Sequence, residues 1–252
     1  MPNLAPPVAY FISDLHLQVS HPRTAEAFFA FLAERAVRAE QLYLLGDLFE
    51  YWAGDDDLIS LFNQRVAQAL RAVSDAGVAV FWIAGNRDFL VGDAFARACG
   101  LTLLAEPYVT TIAGTTVTLV HGDAECTSDT AYMAFRKQVR DPAWQAQFIA
   151  MPLSQRKAII AGLRDGSRDA HAGKSMAIMD VTPAAIDALH HQTGSNVIIH
   201  GHTHRPALHI DGARRRYVLP DWECDEAPHR GGWIAIGADG VITRNGIDGE
   251  VL

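Results

Sequence analysis

Short apolar, β-rich runs recur along the chain, each ending at a polar or glycine-bearing corner: Val8 to Ile12, Gln41 to Leu45, Val78 to Ile83, Thr116 to Val120 and Val197 to His200. Runs of this length with such boundaries predict core strands. Between the early ones, Thr24 to Glu40 places Phe28, Phe31 and Leu32 at helical spacing, and Asp57 to Ala76 does the same with Leu61, Phe62, Val66 and Leu70. Strand and helix alternate, which predicts an α/β layered fold. After Ala105 the pattern turns strand-rich, with Tyr108 to Ile112, Arg216 to Leu219, Trp233 to Ile236 and Val241 to Arg244. A two-sheet β-sandwich flanked by helices is therefore expected.

From Thr130 to Lys174 the strand pattern stops. Tyr132, Phe135 and Val139, then Trp144 and Phe148, then Ile159, Ile160 and Leu163 fall at helical intervals. The expected organisation is a core of residues 1–129 and 175–252, interrupted by a helical insertion at 130–174.

Composition and charge refine this picture. With 49% hydrophobic and 20% charged residues the chain is an ordinary globule rather than a disordered or fibrous one. The formal net charge of -8 argues against nucleic acid as a partner. The insertion is the exception in sign: eight basic residues stand against three acidic ones there, a net +5 against -13 for the remainder. Charge runs are commonly no more than solvated faces. Cys99, Cys126 and Cys224 form no CxxC pair and are odd in number, so neither a disulfide framework nor a zinc knuckle is expected, and a reducing compartment is. Met1 to Pro7 lacks the features of a signal peptide, and the most apolar stretch, Val78 to Ala84, is too short to span a bilayer.

The candidate chemistry lies at the corner after each core strand. These corners read Ser13-Asp14-Leu15-His16, Gly46-Asp47-Leu48, Gly85-Asn86-Arg87-Asp88, His121-Gly122-Asp123 and Gly201-His202-Thr203-His204. Singly, each has an ordinary explanation: a core histidine, a turn asparagine, a helix cap. Jointly, five corners with ligating groups at the carboxyl ends of successive strands point to a metal site. In extended backbone Asp14 and His16 would share a face, as would His202 and His204. Carboxylate, imidazole and amide donors suit divalent ions such as Mn²⁺, Zn²⁺ or Fe²⁺. Seven donors exceed the needs of one ion, and two ions with Asp47 as a shared anion are the economical solution.

The five corners resemble the calcineurin-like metallophosphoesterases, with their pattern D-x-H, G-D, G-N-[HR]-[DE], H and G-H-x-H. The resemblance implies that Asp14, His16, Asp47 and His204 hold one ion, and Asp47, Asn86, His121 and His202 the other; His200 matches no ligand position. Many members carry histidine after G-N, whereas this chain has Arg87, which cannot serve as a general acid but can clamp a second phosphate. Together with Glu50-Tyr51-Trp52 after the second corner, Cys126-Thr127 after the fourth and Ala177-Ile178-Met179-Asp180-Val181, the chain more narrowly resembles the UDP-2,3-diacylglucosamine pyrophosphohydrolase family.

That resemblance implies a Mn²⁺-dependent enzyme, peripheral on the cytoplasmic face of the inner membrane. It would cleave UDP-2,3-diacylglucosamine to UMP and 2,3-diacylglucosamine 1-phosphate in lipid A biosynthesis, with attack of a hydroxide bridging the two ions on the α-phosphorus. It casts Asp47, Asn86, Arg87 and His121 as catalytic, and Asn86, Arg87, Asp129, Ser167, His171, Lys174 and His202 as substrate contacts. His171 stands where relatives carry asparagine. The insertion's Tyr132, Phe135, Trp144, Phe148, Met151, Ile159 and Ile160 would line an acyl cleft, its basic residues would face anionic headgroups, and a monomer is expected. A soluble phosphodiesterase or phosphatase is the competing enzyme reading, and a scaffold that has kept the fold without the chemistry is the other.

Overall fold

A computed structural model describes residues 6–172 and 180–252, without the side chains of residues 164–172. Four parallel strands, β1 (Ala9–Ile12), β2 (Gln41–Leu45), β3 (Ala79–Ile83) and β4 (Leu101–Leu104), form the larger part of the six-stranded first sheet. Their crossovers are helices α1 (Pro22–Glu34), α2 (Leu61–Asp75) and α3 (Asp93–Cys99). The second sheet begins with β5 (Tyr108–Ile112) and β6 (Thr115–Leu119). Three helices then interrupt the strands, α4 (Thr130–Val139), α5 (Pro142–Ile149) and α6 (Leu153–Ala172), with α7 (Pro183–Thr193) next. β7 (Val197–His200), β8 (Ala207–Asp211) and β9 (Arg214–Val218) complete the second sheet, in the order β5-β6-β7-β9-β8. Antiparallel β10 (Gly232–Ile236) and β11 (Ile242–Gly246) return to the first, giving β11-β10-β1-β2-β3-β4.

The period-2 alternation of side chains sorts each strand between two apolar layers. Ala9, Phe11, Tyr43, Leu45 and Ile83 point inward to meet Ile112, Val117, Leu119, Ile199 and Leu219 of the second sheet. Their neighbours Tyr10, Ile12, Leu42, Leu44, Val80 and Trp82 point outward and are covered by Phe28, Phe31, Val66, Leu70 and Phe95 from the helices. Burial on both faces is why these strands read as continuous apolar runs.

The first predicted helix ends early. Continuous α-helix stops at Glu34, and a separate 3-10 turn, Ala36–Arg38, carries the chain into β2. The second starts later than expected, because Asp55–Ile59 is a 3-10 turn and the helix proper begins at Leu61. Three short elements leave no periodic signal: α3 at seven residues, β4 at four, and β8, which is almost wholly exposed. The apolar pattern does not announce α7 either; Thr182 caps it by accepting from Ala185 N, with Pro183 in its first turn. All three cysteines are buried, and no disulfide joins them.

Candidate metal centre

Every ligating corner continues a strand that stops at the same edge of the sandwich. Asp14 N donates to Gly46 O, and Leu15 and His16 N donate to Asp47 O, so the β1–β2 ladder runs on into the first two corners. Gly201 N donates to His121 O, joining the fourth and fifth. The corners are not extended, however. Among the described residues six non-glycines have positive φ, and five of them are Asp14 (55°), His16 (48°), Asp47 (53°), His202 (66°) and His204 (52°). The expectation that D-x-H and H-x-H converge through extended backbone is thereby corrected: left-handed turns aim these side chains. Such conformations cost on the order of 1–3 kcal/mol each and persist where the surroundings impose them.

Two glycines make the approach of the corners possible. A Cβ on Gly85 would fall on the backbone nitrogen and carboxylate of Asp47, and one on Gly201 would collide with the carboxylate of Asp14 and with Ser13. No side chain fits either place.

The ligating atoms gather in two groups. Asp14, His16 and His204 present one atom each within 4.8 Å of one another, and so do Asp47, His121 and His202. Asn86 Oδ1 sits in the second group, 3.0 Å from His121 Nε2 and 2.8 Å from His202 Nδ1. His204 Nε2 lies 3.6 Å from Asp14 Oδ1. All seven predicted donors are thus brought together, and His200 stays outside: its Nδ1 donates to Gly201 O and its Nε2 accepts from Arg216. Burial, with Arg216 second, pushes His200 down to about 3, which keeps it neutral.

The electrostatics of this donor set call for positive charge. Burial opposes a proton on His121, yet Asp47, Asp14 and Asp123 outweigh it and push that imidazole up to about 9. Burial likewise opposes charge on Asp14, but the bond and charge of His204 hold its carboxyl well below the usual range. His202 is pushed down to about 4 by burial and by His121, leaving a neutral ring with a lone pair to give. Anionic oxygens surround two adjacent points, and a pair of divalent cations there would replace the proton that the carboxylates draw onto His121.

Several supporting residues carry no signal of their own in the sequence. Asp88, fully buried, accepts from Leu48 N at 2.8 Å and Gly85 N at 2.9 Å, pinning the second corner to the third. Burial and then Asp47 push it up to about 7; its place in the G-N-R-D string is the available clue. Glu50 Oε2 lies 3.1 Å from His16 Nδ1, and its other oxygen 3.6 Å from Arg87. Asp221 lies 3.4 Å from His204 Nδ1. Carboxylates behind ligating imidazoles fix their tautomer and orientation.

The helical segment is bolted to this edge. Tyr132 Oη donates to Asp123 at 2.5 Å while its ring lies over His202, centroids 6.1 Å apart. Arg136 bonds Asp123 and Glu106, and Glu106 in turn accepts from His121 N. Arg140 donates to Ala84 O and Gly85 O. Asp129, an expected substrate contact, is buried and caps α4 by accepting from Tyr132 N. Ser167 and His171 fall in α6 beyond the described side chains, and Lys174 and Ala177 to Met179 lie outside the described residues. Of the apolar residues assigned to an acyl cleft, Phe148 is buried and stacks on Trp144, and Trp144, Met151 and Ile160 pack against the helix-side core. Phe135 and Ile159 are exposed, as are Ile149 and Leu163.

Residues 8–206 match the family described as calcineurin-like phosphoesterase. The protein named UDP-2,3-diacylglucosamine hydrolase in Chromohalobacter salexigens is 48% identical over 232 residues, 90% of this chain and 92% of that one. Its namesake in Aromatoleum aromaticum is 49% identical over 225 residues, covering 88% and 91%. Among solved structures, a dimetal phosphatase from Danio rerio aligns with a TM-score of 0.50 at 12% identity, over 95% of this chain and 96% of that one, a likeness of fold.

Proposed function

The chain belongs to the calcineurin-like phosphoesterases and, within them, to the UDP-2,3-diacylglucosamine hydrolase family, and on that premise we propose that it hydrolyses UDP-2,3-diacylglucosamine. Water and the nucleotide lipid give UMP and 2,3-diacylglucosamine 1-phosphate, the new P–O bond forming at the α-phosphorus as the bond to the lipid phosphate breaks. The observation that carries the reading is the meeting of seven donors in two adjacent groups at one edge of the sandwich.

Asp14, His16, Asp47 and His204 would hold one cation and Asp47, Asn86, His121 and His202 the other. When bound, two Mn²⁺ ions would supply charge neutralisation for the diphosphate and an acidified water. The protein's own groups do the rest. Arg87, anchored near Glu50, presents a planar guanidinium to phosphate. Its inability to act as an acid is no loss, because a lipid phosphate departs as a stable anion and needs no proton from the enzyme. Tyr132 covers His202 and holds water away from that side.

The insertion, residues 130–174, is assigned as a lid. Phe135, Ile149, Ile159 and Leu163 offer exposed apolar surface for acyl chains. Asp129, Ser167, His171 and Lys174 are assigned to the substrate's sugar and phosphate. Among the described residues no helix is long and apolar enough to cross a membrane. The insertion's net +5 supports peripheral attachment of a monomer to the anionic cytoplasmic face of the inner membrane.

The test is release of UMP from UDP-2,3-diacylglucosamine, run beside bis(p-nitrophenyl) phosphate and cyclic AMP. Chelation should abolish it and Mn²⁺ restore it. Preference for either small diester would overturn the substrate, and chelator-resistant turnover would overturn the metal.

A further inference from the structure

A cleft opens beside the metal centre, and none of the described residues of the helical insertion lines it. It has a volume of about 510 Å³, within the range of small-ligand sites, and His204 forms part of its wall. The remaining wall comes from Pro206 in the same β7–β8 connection, from the β9–β10 connection, and from the end of β11 and the chain after it. Pro206 and Ile247 supply apolar faces, His229 and Arg230 supply donors, and Asp248 and Glu250 supply carboxylates. The cleft connects to the ligating cluster through one carboxylate: Arg230 Nε donates to Asp221 at 2.6 Å, and Asp221 lies 3.4 Å from His204 Nδ1.

We propose that this cleft is the subsite for the uridine half of the substrate; the inference rests on the reaction proposed above and deepens it. In an in-line displacement at the α-phosphorus the lipid phosphate leaves along the axis of attack, while the ester oxygen to uridine is equatorial. The nucleoside must therefore diverge from the path that the lipid takes. The insertion rises beside His202 and Asn86, through Tyr132 over His202 and Arg140 on Ala84 and Gly85. The cleft adjoins the other cluster, at His204. A pyrimidine ring lies flat on Pro206 and Ile247. Carboxylates accept but do not donate, so Asp248 and Glu250 match the two ribose hydroxyls and the N3–H of uracil, and reject the bare N3 acceptor of cytosine.

The experiment measures inhibition of UDP-2,3-diacylglucosamine turnover by UMP, by CMP and by diacylglucosamine 1-phosphate, for the wild type and for Asp248→Asn/Glu250→Gln. Both positions are exposed, so the fold should tolerate the change. The expected result is an inhibition constant for UMP raised about fivefold or more, with the preference for UMP over CMP reduced. Inhibition by the lipid product should not move, and Asp211→Asn on the exposed β8 should alter nothing. Unchanged UMP inhibition in the double variant would overturn the subsite while leaving the reaction standing. A wild type that does not turn over UDP-2,3-diacylglucosamine would overturn the reaction itself.

Discussion

His16 Nε2 and His204 Nε2 lie 3.3 Å apart, although 188 residues separate them in the chain. Two imidazole nitrogens that face each other at this distance beside the Asp14 carboxylate form a natural clamp for a cation, which satisfies both lone pairs at once. Glu50 holds the far side of the His16 ring, at 3.1 Å from Nδ1. Replacing Glu50 by Ala should weaken metal binding by about 10- to 100-fold, with Glu50→Gln milder. Titrating Mn²⁺ against activity and by calorimetry reads this, and an unchanged metal dissociation constant would remove Glu50 from the role.

Gly85 is predicted to be irreplaceable. A Cβ there forces Asp47 from its position, and a displacement of about 1 Å at a reacting centre costs on the order of 10²-fold in rate. Gly85→Ala should lose at least that in kcat/KM while keeping its far-ultraviolet circular dichroism. Near wild-type turnover would show that the corner relaxes freely.

The fold's outline was legible because strands buried on both faces read as apolar runs, and β2, β5 and β7 have the bounds that their sequence pattern set. The donor set was legible because Asp14, Asp47, Asn86, His121 and His204 each lie just past such a run. What was not legible is long-range. The left-handed turns at Asp14, His16 and His204 arise from packing between corners, and nothing local in D-x-H encodes them. Glu50, Asp123 and Asp221 act through partners distant in sequence, and Phe148 reads equally well as lid lining or as core until its neighbours are known.

Arg156 joins α6 to the core. Its buried side chain donates to Met151 O at 3.0 Å and to Ala53 O and pairs with Asp56, and Lys157 pairs with Asp57 beside it. Arg156→Met strands buried carbonyls, each costing about 1–3 kcal/mol. Thermal unfolding should shift downward, and KM should rise more than kcat falls, because α6 belongs to the proposed lid. An unaltered melting temperature would contradict the fastening role.

Glu125 should make stability depend on pH. Burial, then Glu106 and Asp123, push its carboxyl from 4.5 up to about 7. Between those values the folded chain keeps a proton that the unfolded chain has released, so stability falls as pH rises through the window and stays lower above it. Glu125→Gln, neutral throughout, should leave stability near pH 4.5 unchanged and raise it at pH 8 by up to about 3 kcal/mol. Denaturant melts at the two pH values check this, and an equal effect at both would contradict it.

Anomalous diffraction from crystals soaked in Mn²⁺ tests the two-cation site most directly. Two peaks about 3.5–4 Å apart are predicted, one among Asp14, His16 and His204 and one among Asn86, His121 and His202, with Asp47 between them. A single peak, or none at these side chains, would contradict the account.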